Sequence, residues 1–155
     1  MLFVNAHART LLGDVVGETC WKVMQTGMPG PCDFCTNDRL LDADRKPTSP
    51  AVWEYHNPML KRWFQLHDQA IPWDDGHYVR MEIALDITER KAAEASLKDS
   101  EERYRVLFHQ SHDALMVVSP PDWRFLAGNP AMVELFGADS LDQLLAMGAA
   151  DVSPL

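Results

Sequence analysis

The stretch Tyr78-Val79-Arg80-Met81-Glu82-Ile83-Ala84-Leu85-Asp86-Ile87-Thr88-Glu89-Arg90-Lys91 decides the fold of this chain. Its first part alternates apolar and polar residues, which predicts a β-strand with one buried face. The residues of the predicted buried face are Val79, Met81, Ile83, Leu85 and Ile87. Clean alternation of this kind is typical of an antiparallel sheet that packs on one side. We therefore expect this strand to belong to such a sheet.

The second part of the stretch predicts a helix that begins where the strand ends. Asp86 followed three residues later by Glu89 fits an N-cap with its capping-box partner. Residues 88–110 contain neither Gly nor Pro, so the helix is expected to continue through them. Apolar residues recur in it with heptad spacing, at Ala93, Leu97, Tyr104 and Leu107, with Ser100 at the remaining seam position. This narrow stripe favours a two-helix coiled coil, with an unpaired, solvated linker helix as the alternative.

Two further strands are predicted upstream, because residues 52–56 and 62–71 are rich in aromatic and β-tolerant side chains. Residues 73–77 predict a hairpin connection, with Gly76 at a position that takes positive φ. Short helices are expected over residues 5–13, 19–24 and 36–41, and Leu2-Phe3-Val4 is predicted to be the end of a strand.

Residues 129–137 repeat the pattern of residues 5–13, which indicates two copies of one module. Both segments begin with Asn, carry Leu two residues before the end and finish with Gly. Strands are predicted before the second segment, at 114–118 and 123–127. We expect both copies to be incomplete: the first lacks its initial strand, and the second stops near residues 151–155, before its sheet is finished.

Taken together, these residues resemble the PAS domain. The order of strand, Asn-x5-Leu-[Leu/Phe]-Gly helix, short helices and three-stranded meander is similar to that family. Asp86-Ile87-Thr88-Glu89-Arg90-Lys91 resembles the terminal motif of its PAC segment, and residues 100–108 resemble the linker that introduces a second PAS domain in bacterial multi-domain sensors. The resemblance implies a five-stranded antiparallel sheet, helices on one face and a ligand cavity between them.

The predicted fold class is therefore α+β. We expect a PAS-like antiparallel sheet with short helices on one face, then a long connecting helix, then a partial second PAS module. The predicted boundaries are 1–87 for the first PAS-like domain, 88–110 for the coiled-coil-like connecting helix and 111–155 for the N-terminal part of the second domain.

Composition and charge exclude some classes of function. The net charge of −9 disfavours nonspecific binding to nucleic acid, which depends on Lys and Arg. No run of roughly 18 apolar residues occurs, so no membrane span is expected within this fragment. The three cysteines are an odd number, and two of them form a Cys-x-x-Cys pair. This pattern favours a reducing compartment, and we expect a cytoplasmic protein.

Cys20, Cys32 and Cys35 are the strongest chemical constellation. A Cys-x-x-Cys pair can bind one metal with two thiolates, and Cys20 would supply a third ligand. His56 is the expected fourth ligand, with His67 or Asp33 as alternatives. Zinc or an iron–sulfur cluster would suit this set. Reduced structural thiols and a redox-switched Cys32–Cys35 pair are the other two interpretations.

Other cofactors and catalysis have little support. The cysteines of Pro-Cys-Asp-Phe-Cys do not match the Asn-Cys-Arg-Phe-Leu-Gln run of photosensory flavin modules, and no Cys-x-x-Cys-His attaches haem. Trp53, Trp63 and Trp73 are expected to pack across the sheet, with an aromatic ligand lining as the alternative. No catalytic triad, phosphate loop or carboxylate pair is present, so the fragment is not expected to be an enzyme.

The resemblance implies a sensory module of a signalling protein. A ligand, redox or metal signal would pass through Asp86, Ile87, Thr88, Glu89 and Arg90 into the helix. The expected partners are a second copy, paired through that helix, and an output domain further along the same chain. A histidine kinase of a two-component system or a diguanylate cyclase would fit. The rival hypotheses are a metal or redox sensor at the cysteines and a ligand-free dimerisation scaffold.

Overall fold

The computed structural model of the chain describes residues 1–25 and 27–147. It has antiparallel strands, short helices and one long helix, so the α+β class is confirmed. The chain divides into two compact units, Met1–Ala93 and Glu94–Leu155, and each is described by itself. The expected stop of the second copy near residues 151–155 lies outside the described residues.

The first unit contains a three-stranded antiparallel sheet in the order β1-β2-β3. The strands are β1 (Ala51–Asn57), β2 (Arg62–Pro72) and β3 (Tyr78–Asp86). The predicted hairpin joins β2 to β3: the Trp73 N–H donates to the His77 carbonyl at 2.8 Å, and Gly76 has φ +82°. Only a residue without a Cβ adopts that φ without strain.

The middle strand supplies the core of this sheet. Alternate residues of β2 are buried, and they are Phe64, Leu66, Asp68 and Ala70. Residues directly opposite one another on adjacent strands point to the same side. The inner face therefore also carries Trp53 and Tyr55 of β1, which lie opposite Leu66 and Phe64. The ring of Phe34 covers this face, with its centroid 5.7 Å from that of Trp53 and 5.0 Å from that of Tyr55.

The predicted buried face of β3 is wrong for three of its residues. Met81, Ile83 and Leu85 are exposed, whereas Ile87, just beyond the strand, is buried as predicted. The inward residues of β2 pair with Glu82, Ala84 and Asp86 of β3, so the apolar residues between them point outward. Alternation identified two faces correctly but did not show which face the rest of the unit covers.

The short helices of the first unit are α1 (Ala6–Leu12), α2 (Cys20–Met24) and a 3₁₀ helix (Asn37–Arg39). The Asn5 side chain caps α1 by accepting from the Ala8 N–H at 2.8 Å, and Gly13 follows the helix with φ +81°. The predicted strand at Leu2-Phe3-Val4 is wrong. These residues have no strand partner among the described residues and form no ladder.

The long helix α3 spans Thr88–Gln110, as the sequence predicts. Its heptad stripe is exposed, including Leu97 at 62% and Leu107 at 65%. An i,i+4 ion pair joins Asp99 and Arg103 at 2.8 Å. In the part of the chain that the structure describes, no helix combines the length and apolarity needed to cross a membrane.

The second unit places a two-stranded antiparallel sheet beside two short helices. The elements are β4 (Met116–Ser119), β5 (Arg124–Gly128), α4 (Pro130–Leu135) and α5 (Leu141–Ala146). Phe125, Met132 and Leu144 form its core. Gly128 permits close packing, because a Cβ built on it would lie 2.9 Å from the Met132 sulfur. Asn129 caps α4, and Gly137 beyond it has φ +63°, so the repeated sequence pattern produces the same capped helix twice.

Candidate functional site

The junction between β3 and α3 is held by the side chain of Asp86. Its carboxylate accepts from the Thr88 N–H at 2.9 Å and from the Thr88 hydroxyl at 2.6 Å. The Arg62 guanidinium donates to the other carboxylate oxygen at 2.9 Å. Hydrogen bonds from Thr88, followed by that from Arg62, lower the pKa of Asp86 below its usual value. Asp86 is therefore a charged cap at neutral pH.

Two further contacts tie the start of α3 to the neighbouring strand β2. The Ile87 N–H donates to the Trp63 carbonyl at 2.8 Å, and the Trp63 N–H donates to the Thr88 hydroxyl oxygen at 3.0 Å. Ile87 is buried. Glu89 is exposed and lines an open groove with Arg62, Asp86 and Thr88. Trp63 of β2 thus bonds the backbone of Ile87 through its carbonyl and the side chain of Thr88 through its N–H.

The first turn of α3 is also bonded to β1. Arg90 and Lys91 both donate to the Glu54 carboxylate, at 2.6 Å and 2.5 Å. These hydrogen bonds lower the pKa of Glu54. The Lys91 ammonium also lies 5.3 Å from the centroid of the Trp63 ring. The helix is therefore anchored to two strands besides the strand that leads into it.

The three cysteines are free and lie in one region of the first unit. Cys20 begins α2 and is exposed, whereas Cys32 and Cys35 are half-buried. The Cys35 N–H donates to the Cys32 carbonyl at 3.0 Å, which closes a turn between the two thiols. Burial raises the pKa of Cys32, and the neighbouring Cys20 and Cys35 raise it further. Cys20 and Cys35 thus both lie close enough to Cys32 to raise its pKa.

His56 is not brought to the cysteines. It alternates along β1 with Trp53 and Tyr55, whose rings contact Phe34, so it lies on the other face of the sheet. Its ring packs on Trp63, with centroids 5.3 Å apart. Over residues 1–25 and 27–147, no three His, Cys, Asp or Glu side chains are grouped to hold a metal ion. The predicted zinc or iron–sulfur site remains a prediction.

One buried acid, Asp68, was not predicted from the sequence. Asp68 has no exposed surface. Its carboxylate accepts from the Thr36 hydroxyl at 2.6 Å, the Trp53 indole N–H at 2.8 Å and Arg80 Nε at 3.1 Å. An Asp on the apolar side of an alternating strand is the signal that could have revealed it, because a buried carboxylate requires partners.

Arg80 connects this acid to the cysteine turn. Its Nη1 lies 4.0 Å from the Cys35 sulfur and 3.2 Å from Asn37 Oδ1, and its Nη2 contacts Glu82. Glu82 lies opposite Asp68 in the β2–β3 register. Burial raises the pKa of Glu82, Asp68 raises it further, and Arg80 opposes both effects. One guanidinium thus links β2, β3 and the turn that carries the thiols.

The three spaced tryptophans do not form one ligand lining. Trp53 lies on the inner face of the sheet, Trp63 lies on the outer face, and Trp73 follows β2 in the hairpin. The packing interpretation holds for the first two, which contact Phe34 and His56 respectively.

One comparison with known families gives a match. Residues 102–154 match the family model described as PAS domain, a stretch that begins within α3 and includes β4, β5, α4 and α5. This match supports a PAS domain in that part of the chain. A search of curated proteins gave no match.

Proposed function

We propose that this fragment is a noncatalytic sensory module that passes a signal from residues 1–87 through Asp86–Arg90 into α3. An output domain further along the same chain, such as a histidine kinase or diguanylate cyclase, would receive it. The PAS match over residues 102–154 supports a sensory or signalling role in general. The three thiols support a reducing, cytoplasmic location.

The hydrogen bonds and ion pairs between the sheet and the start of α3 are the main support for this proposal. A shift of β1 or β2 changes the positions of Glu54, Arg62 and Trp63. Glu54 and Trp63 contact the start of α3 directly, and Arg62 bonds Asp86, which precedes it. Since neither Gly nor Pro interrupts residues 86–93, no flexible linker absorbs the shift. A ligand or other signal shifts the helix between two positions only when the protein binds that signal more tightly with the helix in one position than in the other.

Pairing of α3 with the same helix of a second copy completes the proposal. The exposed stripe of Leu97, Tyr104 and Leu107 supports such pairing, because a coiled coil buries residues at this spacing. A pair of helices with two packings of similar energy would convert a small change at the junction into a change of output.

Replacing Thr88 and Glu89 by glycine in the full-length protein tests the junction. Each Gly costs a helix about 1 kcal/mol, and the Thr88 bonds to Asp86 and Trp63 are lost. We expect output to become independent of stimulus in this variant, as measured by kinase or cyclase activity in stimulated and unstimulated cells. Regulation that survives unchanged in the Gly-Gly protein would contradict the proposal.

A matched pair of substitutions sharpens the same test. Thr88→Ser keeps the hydroxyl that bonds Asp86 and Trp63, whereas Thr88→Val has nearly the same shape without it. We expect regulation to persist in Thr88→Ser and to weaken in Thr88→Val. Equal regulation in both variants would show that these bonds do not transmit the signal.

A metal or redox sensor at the cysteines is the second candidate. The raised pKa of Cys32, to which burial and then the neighbouring Cys20 and Cys35 contribute, favours it. Elemental analysis of protein purified without chelator distinguishes the chemistries, because a metal sensor retains stoichiometric zinc or iron. Three titratable thiols without metal would leave either redox chemistry or structural thiols. Native mass spectrometry tests the third candidate, a ligand-free scaffold, by the absence of a retained small molecule.

A further inference from the structure

We propose that the outer face of the sheet in the first unit, the side opposite Trp53 and Tyr55, packs against the same face of a second copy of this chain. This contact is a second one beside the pairing proposed for α3, and it does not rest on the sensory function. Three features of the outer face support it: its exposed apolar residues, its lack of unpaired charge, and its size.

An apolar stripe runs along β3 on the outer face. All four outward residues of this strand are apolar, and they are Val79, Met81, Ile83 and Leu85. The register places Ile83 and Val52 on the two sides of His67, so Val52 of β1 shares this face. Ile83 and Val52 are 56% and 55% exposed. A contiguous exposed apolar patch on a folded protein commonly marks an interaction surface.

One end of the outer face is covered by the chain itself. Lys91, in the first turn of α3, lies 5.3 Å from the centroid of the Trp63 ring and pairs with Glu54. Both Trp63 and Glu54 point to the outer side of the sheet. Ile83 and Leu85 nevertheless remain more than half exposed. The part of the outer face around the β3 stripe is therefore open to a partner.

The outer face carries almost no charge in a strongly acidic chain. The chain has 23 Asp and Glu residues and a net charge of −9. Among the strand residues on this side, Glu54 is the only Asp, Glu, Lys or Arg, and Arg90 and Lys91 pair with it. A charged partner, such as a nucleic acid or a basic peptide, would find no unpaired charge here. The partner that fits is a neutral, apolar surface.

The same face of a second copy is such a surface. Two copies of an acidic chain repel one another wherever their carboxylates meet. Contact through the outer face avoids this repulsion, because the strand acids Asp68, Glu82 and Asp86 point to the other side of the sheet. A two-fold axis would place the two apolar stripes together, which is the self-complementary arrangement of symmetric dimers. A second copy is therefore the partner that the charges favour.

The dimensions of the sheet set the strength of the contact. Its strands have 7, 11 and 9 residues. At about 3.3 Å per residue and about 4.8 Å between strands, the outer face measures roughly 30 by 14 Å, so two copies would bury roughly 800 Å². Stable specific interfaces bury about 1,200–2,000 Å² in total. The sheet contact alone is therefore weak, and it strengthens a dimer whose chains are also joined elsewhere.

Photo-crosslinking at position 83 tests what covers the outer face. Two differently tagged copies of the full-length protein are expressed together, one of them with p-benzoyl-phenylalanine in place of Ile83, and the cells are irradiated. We expect a product that carries both tags, with the crosslink ending on β1, β2 or β3 of the other copy. Crosslinks only within one chain, to residues of the other copy outside these strands, or to a different protein would overturn the proposal. So would the absence of any crosslink.

A charged substitution measures how much the contact contributes. Ile83→Glu places two carboxylates near one another across the two-fold axis, so we expect dimer affinity to fall by at least about tenfold. Val16→Glu is the matched control, because Val16 is also exposed in the first unit but lies outside the sheet. Sedimentation equilibrium of the full-length protein measures both affinities. Equal dimer affinity in the two variants would refute the contact.

A second substitution keeps this test decisive if Ile83→Glu does not fold, which circular dichroism would show. Ile83→Thr keeps the β-branched shape that suits a strand and replaces one apolar arm by a hydroxyl. We expect a smaller fall in dimer affinity than in Ile83→Glu. An affinity equal to that of the wild type in folded Ile83→Thr would count against the contact.

Failure of this contact and failure of the sensory function give different results. The crosslink is measured on the sheet itself, without the output domain, and the Gly-Gly junction variant should retain it. A protein that is regulated through the junction but gives no crosslink between copies would refute only the sheet contact. A protein that gives the crosslink and keeps its regulation in the Gly-Gly variant would refute only the sensory proposal.

Discussion

Single buried polar residues connect separate segments of each unit through hydrogen bonds, which apolar packing alone does not provide. Asp68 sits inside the first unit, where an unpaired carboxylate would be costly, and three donors replace its lost water. Because these donors come from the loop before the 3₁₀ helix, from β1 and from β3, one side chain orders three segments. Asp68 therefore sets the relative positions of these segments as well as contributing to stability.

Asn5 and Asn129 both cap a short helix, but they differ in burial and in the number of hydrogen bonds that they make. Both cap a short helix by accepting one backbone N–H, from Ala8 and Met132 respectively. Asn5 is exposed, whereas Asn129 is wholly buried. Asn129 also accepts from the Leu115 N–H at 2.9 Å and donates to the Asp113 carbonyl at 2.8 Å. It therefore joins α4 to the segment that enters β4.

We predict that Asn129→Ala destabilises its unit more than Asn5→Ala destabilises the other. Loss of an N-cap alone costs about 1 kcal/mol, which is the expectation for Asn5→Ala. Asn129→Ala also leaves buried backbone groups without partners, each worth about 1–3 kcal/mol, so its cost should be roughly 3 kcal/mol. Hydrogen exchange resolved by peptide measures each unit separately. Equal losses of protection at the two sites would contradict this explanation.

At the scale of elements, the sheet of the first unit has a covered face and an uncovered one. Leu66 of β2 is 7% exposed, and Leu85 of β3, on the opposite face, is 56% exposed. Both are leucines in well-formed antiparallel strands. They differ only in which side of the sheet they occupy, so they form a matched pair for testing the corrected orientation.

We predict that Leu66→Ala costs about 2–4 kcal/mol, because it removes buried methyl groups and leaves a cavity. Leu85→Ala should change the stability of the monomer by less than about 0.5 kcal/mol, as exposed substitutions usually do. Urea unfolding at low protein concentration measures both values. A larger loss for Leu85→Ala would mean that the outward face of β3 is covered in solution.

The helix α3 combines an anchored start with an exposed stripe. Its first turn is bonded to Glu54, Trp63 and Asp86, while Leu97 and Leu107 further along are largely exposed. The apolar stripe leaves a surface on which the proposed second helix would pack. The proposed transmission requires both the anchored first turn and this exposed stripe.

Across the whole chain, each unit contains an Asn-capped short helix and an antiparallel sheet. The first unit carries an Asn-capped helix and a three-stranded sheet, and the second carries two strands and the same kind of capped helix. The PAS match covers residues 102–154, which lie within the second unit and begin inside α3.

Charged substitutions in the heptad stripe test the association of two copies through α3. Leu97→Glu combined with Leu107→Glu places charges in the proposed seam, and we expect dimer affinity to fall by at least about tenfold. Ala95→Glu is the matched control, because Ala95 lies outside the heptad stripe and Glu keeps helix propensity. Sedimentation equilibrium measures the association. A wild-type monomer, or a dimer that both sets of substitutions weaken equally, would rule out this seam.

The candidate sites were predictable from the sequence to different degrees. The junction motif could be identified because capping and helix continuation depend on residues close in sequence, and Asp86 does cap Thr88. The contacts of Glu54 with Arg90 and Lys91 could not, because they join residues far apart in the chain. The cysteine pair was visible as a spacing, but its cation, Arg80, lies on a distant strand.

The sequence by itself determined the α+β class, the hairpin at Gly76, the full extent of α3 and the repeated Asn-capped helices. These features follow from local preferences: strand alternation, capping and the conformational freedom of glycine. The packing of distant segments was needed to show that Leu66 is buried and Leu85 is not, and that His56 lies on the sheet face opposite Trp53 and Tyr55. It was needed equally to show that Asp68 is buried and bonded to Arg80. The physical reason is that alternation gives a strand two faces, and the distant segments that pack on it decide which face becomes the core.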